Sequence, residues 1–352
     1  MSLPVEIIDG IVEEVLLSQS RAFSSIAALS VVSRQLRYIS LRAYFSRLTV
    51  SKLTRAGRIL DIPNCCSWIR HLSTTMQIIE KRSLPVSKMK LWSLELTCES
   101  VSVFSLAASI LLVFPHLPVT TLVSLKLRSL PRITQLLLKE IARRCANLRE
   151  LELSVIERLS TDCCWACFEE SSSGVKHSPV GVDASSCDTT TARDLATLYG
   201  RCLQPLANLK RLSIGVFLSS PVVLKKHIED HSDALARQQQ GATGLGCRPY
   251  TPTKCVQCWE THGLSTREDE LLATMRLAQN LKSLEWVRWS SWFSYWNLPL
   301  QVTATANEDD KRDKMNEQER VFGLTKDDVD AQWATFEIER REKRIKVWRR
   351  TS

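Results

Sequence analysis

Leu91-Trp92-Ser93-Leu94-Glu95-Leu96 and Leu122-Val123-Ser124-Leu125-Lys126-Leu127 share one spacing, L-x-x-L-x-L. Three later segments repeat it: Leu148-Arg149-Glu150-Leu151-Glu152-Leu153, Leu209-Lys210-Arg211-Leu212-Ser213-Ile214 and Leu281-Lys282-Ser283-Leu284-Glu285-Trp286. A weaker copy surrounds Leu72. In each copy the last two apolar residues alternate with a polar one, which predicts a short strand buried on one face. Between copies the apolar spacing turns helical, over 103–114, 133–145, 192–206, 222–238 and 267–279.

Strand then helix, repeated, is the pattern of an α/β leucine-rich-repeat solenoid, in which each unit buries its apolar face only against its neighbours. The central leucines, Leu94, Leu125, Leu151, Leu212 and Leu284, lie 31, 26, 61 and 72 positions apart. The first two gaps are near one repeat; the last two require insertions or degenerate repeats. Residues 155–190, rich in Cys, Ser, Thr and acidic residues, and 239–263, with Gly241, Gly244, Gly246, Pro249 and Pro252, read as loops within a repeat region over 51–300. Residues 301–331 are strongly charged and read as mobile or only partly helical. In 332–352, Phe336 and Ile338, then Ile345 and Val347, alternate with polar residues; a hairpin turning near 341–343 is favoured over a basic helical tail. It would cover the open edge of the repeat sheet.

The first fifty residues carry a different pattern. Pro4 suits the first turn of a helix over 4–17, and Glu6 suits its positive end. Ile8, Val12 and Val15 form one apolar stripe, while Pro4, Ile7 and Ile11 form a second. Ser24 or Ser25 would cap a second helix carrying Ile26, Leu29 and Val32, and a third would run over 33–47. Three such helices are too small to be robust alone, and a second apolar stripe invites a partner.

These residues resemble the F-box. Leu3-Pro4-Val5-Glu6-Ile7-Ile8 is similar to its opening Leu-Pro-x-Glu-Leu/Ile, and Val32-Ser33-Arg34-Gln35-Leu36 to its Val-Cys-Arg-x-Trp, over about residues 3–47. The order F-box then irregular leucine-rich repeats also resembles F-box proteins found notably in fungi. The resemblance implies docking onto a Skp-type adaptor, and through it a cullin, in an SCF-type ubiquitin ligase. By position in the motif, Leu3, Pro4, Ile7, Ile8, Ile11, Leu29, Val32 and Leu36 would carry the adaptor contact. The plainer reading, helices that only cap the domain behind them, is less favoured.

The chain has 352 residues, 44% hydrophobic and 24% charged, with 47 basic residues against 38 acidic ones, a net charge of +9. That describes a folded protein. The basic residues are spread out, with a local excess over 340–350, so a nucleic-acid partner is not favoured. The acidic N-terminus enters the motif at once, leaving no signal peptide in view. The longest apolar run, 103–114, stops at Pro115, short of the ~20 residues that span a bilayer. An intracellular protein, cytoplasmic or nuclear, without membrane contact is expected.

Twelve cysteines in such a chain read as thiols or metal ligands rather than disulfides. Cys164-x-x-Cys167 and Cys255-x-x-Cys258 offer four thiolates that could close a tetrahedral structural zinc site. The pairs are 88 positions apart, Cys167 to Cys255, so reduced, metal-free cysteines are the favoured reading and no cofactor is required. Neither pair is placed at a helix start in a redox unit. His227 and His231 are four apart without the H-E-x-x-H order, and no phosphate-binding or nucleophile-elbow motif is present, so no catalysis by the chain is expected. Trp286, Trp289, Trp292, Phe293, Tyr295 and Trp296 crowd the last copy; shielding the end of the core is favoured over anchoring a partner.

If the later leucines of each copy point inward, alternation sends Glu95, Lys126, Arg128, Glu150, Glu152, Arg211 and Glu285 to the opposite, concave side. Charges of both signs there suit a protein target. The sequence therefore predicts a non-catalytic substrate-recognition subunit. The alternatives are a leucine-rich-repeat scaffold outside ubiquitination and, less favoured, an RNA-binding protein.

Overall fold

A computed structural model describes residues 4–18, 21–52, 62–81, 84–98, 113–117, 120–130, 133–155, 191–219, 223, 256–293, 301–305, 333–341 and 344–350. The fold is mixed α/β, and the chain divides into two compact units, Met1–Arg128 and Ser129–Ser352.

The first unit opens with three helices, α1 (Val5–Ser18), α2 (Phe23–Val32) and α3 (Arg34–Phe45). The Pro4 carbonyl accepts the amides of Ile7 and Ile8 at 3.1 and 3.2 Å, so Pro4 stands where a missing N–H costs nothing. Ser33 caps α3 through its hydroxyl, which accepts the Leu36 amide at 3.1 Å. The expected serine cap of α2 is not formed. That helix starts at Phe23, so Ser24 and Ser25 lie inside its first turn, and Ala22 at the cap position makes no side-chain bond. Val12, Leu16, Ile26 and Ile39 fill the space between the three helices, with Ile8, Leu29, Ala43 and Tyr44 packed around them. Polar ties lock the bundle: Arg42 pairs with Asp9, and Arg21 bridges the Glu13 carboxylate at 2.8 Å and the Ala43 carbonyl at 2.7 Å.

Behind the helices, β1 (Arg47–Val50), β2 (His71–Thr75), β3 (Ser93–Thr97) and β4 (Ser124–Leu130) run parallel in that order. Leu48, Leu72, Leu94 and Leu125 are in register, as are Val50, Thr74, Leu96 and Leu127, and all eight are buried. From β2 to β4 each strand starts the same way, with two successive amides sharing the carbonyl that just precedes the strand before. Ser46 O accepts Arg70 and His71, Arg70 O accepts Trp92 and Ser93, and Trp92 O accepts Val123 and Ser124, all at 2.8–3.1 Å. The ladder reveals a copy of the repeat that leucine spacing hides, Phe45-Ser46-Arg47-Leu48-Thr49-Val50, which therefore begins before residue 51. Thr74 takes a leucine position in the second copy and is satisfied there: its hydroxyl donates to the Val50 carbonyl at 2.9 Å. Two short helices, α4 (Cys65–Trp68) and α5 (Met76–Glu80), flank β2 in sequence. Of the helical segment expected over 103–114, only 113–114 are described; Phe114–His116 form a 3-10 turn.

In the second unit, β5 (Glu150–Val155), β6 (Arg211–Phe217) and β7 (Trp286–Ser290) are parallel, with helices α6 (Gln135–Arg144), α7 (Ala192–Leu203) and α8 (Val256–Asn280) between them in sequence. Thr134 and Thr191 cap α6 and α7, their hydroxyls accepting the amides of Leu137 and Asp194 at 3.2 Å. Helix α7 packs on both α6 and α8. Gly200 permits the close approach to α8, since a Cβ there would lie 2.8 Å from Asn280 Cβ.

The register corrects the frame of the last copy. Leu212 pairs with Val287 and Ile214 with Trp289, and the shared-carbonyl pattern places the amides of Glu285 and Trp286 on Lys210 O. The copy is thus Leu284-Glu285-Trp286-Val287-Arg288-Trp289, three residues later than the spacing from Leu281 suggests. All of its inward residues are buried. Helix α8 is also longer than expected: it starts at Val256, so 256–263 are helical rather than loop.

Strand β9 (Trp333–Arg341) pairs antiparallel with β7 and with β10 (Arg344–Arg349), forming a hairpin whose register runs to the pair Arg341 and Arg344. The Ile338 amide takes the Glu285 carbonyl at 2.9 Å, continuing the repeat's own entry bond. Gln301–Thr305, expected within the mobile segment, form a strand, β8, that pairs antiparallel with β10. The hairpin also serves α8. The Arg340 guanidinium donates to the carbonyls of Ala278 at 3.0 Å, Leu281 at 2.9 Å and Leu284, satisfying backbone at the end of α8 and in the turn beyond it.

Candidate interaction surfaces

The first candidate surface is one side of α1. Val12 and Leu16 are buried and Ile8 packs beside them, whereas Ile7 and Ile11, one turn apart, are 52% and 48% exposed. Pro4 and Val5 are exposed at the same end. Of the residues that the sequence assigns to an adaptor, Pro4, Ile7, Ile11 and Val32 are exposed, Val32 at 68%. Leu36 is half-buried. Ile8 and Leu29 are half-buried and pack against the bundle core. Leu3 lies outside the described residues. Two apolar residues half in water on a helix already tied down by Arg42 and Arg21 form a rigid, unfilled stripe.

The second candidate surface is the outer side of the strands. In the first unit Glu95 and Lys126 are in register, and Arg128 forms an ion pair with Glu95 at 3.2 Å. On the same side His71 meets the exposed Trp92 ring edge-on, and burial, then Arg47 and Arg21, hold its pKa below the usual value. In the second unit Glu150, Arg211 and Trp286 form one row across β5, β6 and β7, and Glu152, Ser213 and Arg288 form the next. Arg211 binds Glu150 at 2.9 Å. Glu285 departs from its assignment: it precedes β7, aligned with Lys210, and pairs with that side chain at 2.7 Å. The outward residues of the last copy are Trp286 and Arg288, which the misframed leucine concealed.

Tryptophans and guanidiniums alternate there. Arg350 lies 4.8 Å over the Trp286 ring, Arg211 5.9 Å from the same ring, and Arg288 5.1 Å over Trp333. The aromatic group of the last copy thus divides. Trp289 and Phe293 are fully buried, Trp292 is partly buried and stacks on Phe217, and Trp286 faces outward; Tyr295 and Trp296 lie outside the described residues.

Beneath the hairpin, α8 and β10 enclose Arg267, Glu270 and Arg349, all buried. Burial pushes the Glu270 carboxyl up, against the opposing pull of Arg349 and Arg267. Arg267 stacks on Trp259 at 4.4 Å. The cluster joins helix to hairpin.

Cys258 is buried in the first turn of α8 with Val223, Trp259 and Phe293 around it. Cys164, Cys167 and Cys255, like His227 and His231, lie outside the described residues. Among the described residues no group of three or more His, Cys, Asp or Glu is placed to hold a metal, and no helix is long and apolar enough to cross a membrane. The sequence matches no protein-family model, and no curated protein shows significant similarity to it.

Proposed function

We propose that the chain is a substrate-recognition subunit of an SCF-type ubiquitin ligase: α1–α3 form an F-box-like module that docks on a Skp-type adaptor, and the repeated strands form an irregular leucine-rich-repeat solenoid that holds a protein target. The observation that carries this reading is the exposure of Ile7 and Ile11 at motif positions, on a helix whose other stripe already fills the bundle core. Burying the exposed half of two such side chains against a partner is worth about 0.8–1.5 kcal/mol each. The chain does no bond chemistry in this reading. It raises the target's effective concentration beside the ubiquitin-loading machinery.

Reconstitution tests the reading. The chain, a Skp-type adaptor and a cullin are mixed and passed over a sizing column, with wild type compared against Ile7→Asp. Co-elution of wild type alone supports it. Absence of wild-type co-elution removes the ligase role and favours the scaffold reading, in which α1–α3 only cap the strands.

A further inference from the structure

On the outer side of the second unit, Ser213, Arg288 and Thr335 lie in one row across three adjacent strands, paired in register as Ser213 with Arg288 and Arg288 with Thr335, and Glu152 continues the row on the far side of Ser213, two strands from Arg288. Arg288 and Thr335 alternate with buried residues, and Ser213, only 9% exposed, stands in register with them between the inward Leu212 and Ile214, so the three side chains leave the sheet on the same face. Trp286 stands two residues before Arg288 on that face, and the Trp333 ring lies 5.1 Å from the Arg288 guanidinium. Beyond Ser213, Gly215 lacks a side chain by necessity, because a Cβ there would come within 2.7 Å of the Ser154 backbone.

The neighbouring cations are neutralised. Arg211 has Glu150, Lys210 has Glu285, Arg341 has Glu339, and Arg350 has Glu337 at 3.8 Å. Arg288 has no carboxylate among the described residues, and its buried Nε makes no hydrogen bond. A guanidinium laid on an indole has already lost much of its rotamer freedom, so a planar anion binds it at lower entropic cost. A hydroxyl-bearing residue on either side can donate to the oxygens of that anion.

We propose that this row is a subsite for a glutamate or aspartate side chain in an acidic peptide segment of a partner protein, with Trp286 and Trp333 covering the flanking residues. This rests on the target-binding half of the function proposed above. It is independent of the adaptor, so its failure would leave adaptor docking intact.

The test uses the full chain on an array of immobilised decapeptides, each carrying one central Glu between varied neighbours and each matched by a Gln counterpart. The expected result is a subset of Glu peptides that retain the protein at least tenfold better than their Gln partners. Arg288→Gln loses that preference, Arg288→Lys keeps only part of it, and the exposed control Lys282→Gln keeps all of it. The proposal is overturned if no Glu peptide exceeds its Gln counterpart, or if Arg288→Gln leaves the preference unchanged. It is also overturned if binding emerges only after Glu308→Gln, Asp309→Asn and Asp310→Asn, which would assign the row to the chain's own acidic segment.

Discussion

The indole N–H of Trp289 donates to the Thr274 hydroxyl at 2.9 Å, and that hydroxyl donates in turn to the Glu270 carbonyl at 2.7 Å. Strand β7 is thereby tied to α8 through a residue that takes a leucine position in the repeat. Trp289→Phe should lower stability by about 1–2 kcal/mol and Trp289→Ala by about 3–5 kcal/mol, since the latter adds a cavity. Thr274→Val strands the same indole N–H at about 1–3 kcal/mol. Urea denaturation of both singles and the Trp289→Phe, Thr274→Val double variant checks the pair: the double should cost clearly less than the sum.

Gly263 lies under the Trp259 ring, where a Cβ would come within 2.0 Å of Cε3. Gly263→Ala should therefore destabilise the protein by about 1–3 kcal/mol through overpacking, despite alanine's better helix propensity. The sign separates this account from a propensity argument. Combining it with Trp259→Leu should remove most of the penalty in thermal melts; a penalty that persists would place the strain elsewhere.

Arg340 holds one carbonyl at the end of α8 and two in the turn beyond it, across about sixty residues of sequence. Replacing it with Met keeps the stem and removes the donors, at an expected cost of about 3 kcal/mol. Hydrogen exchange should show the loss concentrated in the last turns of α8 and in β9. Uniform loss of protection across the unit would argue against a cap.

Cys98 and Cys145 are fully buried, and burial pushes both thiols up to about 12 from 9.0. Above pH 9 the unfolded chain loses these protons while the native chain keeps them. Stability from the two thiols is thus fully present below pH 9 and is lost as pH rises toward 12. Each thiol should cost about 1 kcal/mol between pH 9 and 10. Denaturation midpoints of wild type should fall over that interval, and a Cys98→Ala, Cys145→Ala variant should show a smaller fall.

The parallel strands were legible because their inward leucines sit at fixed positions, so Leu94, Leu125, Leu151 and Leu212 locate them directly. The first rung was hidden by Phe45 and Val50, which fill the same space with other shapes. The last was misframed because Leu281 also stands three residues before Leu284, while the true inward residues are Val287 and Trp289. On the three-helix segment, helical spacing set Ile7 and Ile11 on a stripe apart from Ile8, but the motif positions that named Ile8 and Leu29 beside them say nothing of packing, which alone decides how far an apolar residue turns inward. Arg288 escaped notice because its face depends on that last frame. Arg340 as a cap depends on contacts between distant segments that no local pattern encodes.

Titration calorimetry with a purified Skp-type adaptor tests whether the exposed stripe of α1 is a docking surface. Wild type should bind stoichiometrically; Ile7→Ala and Ile11→Ala should each weaken Kd about tenfold, the effect of losing about 1.4 kcal/mol. Leu136→Ala, which removes an exposed leucine on α6 in the other unit, should leave Kd unchanged. Failure of wild type to bind, or equal weakening by Leu136→Ala, would show that this stripe is not the adaptor's docking surface.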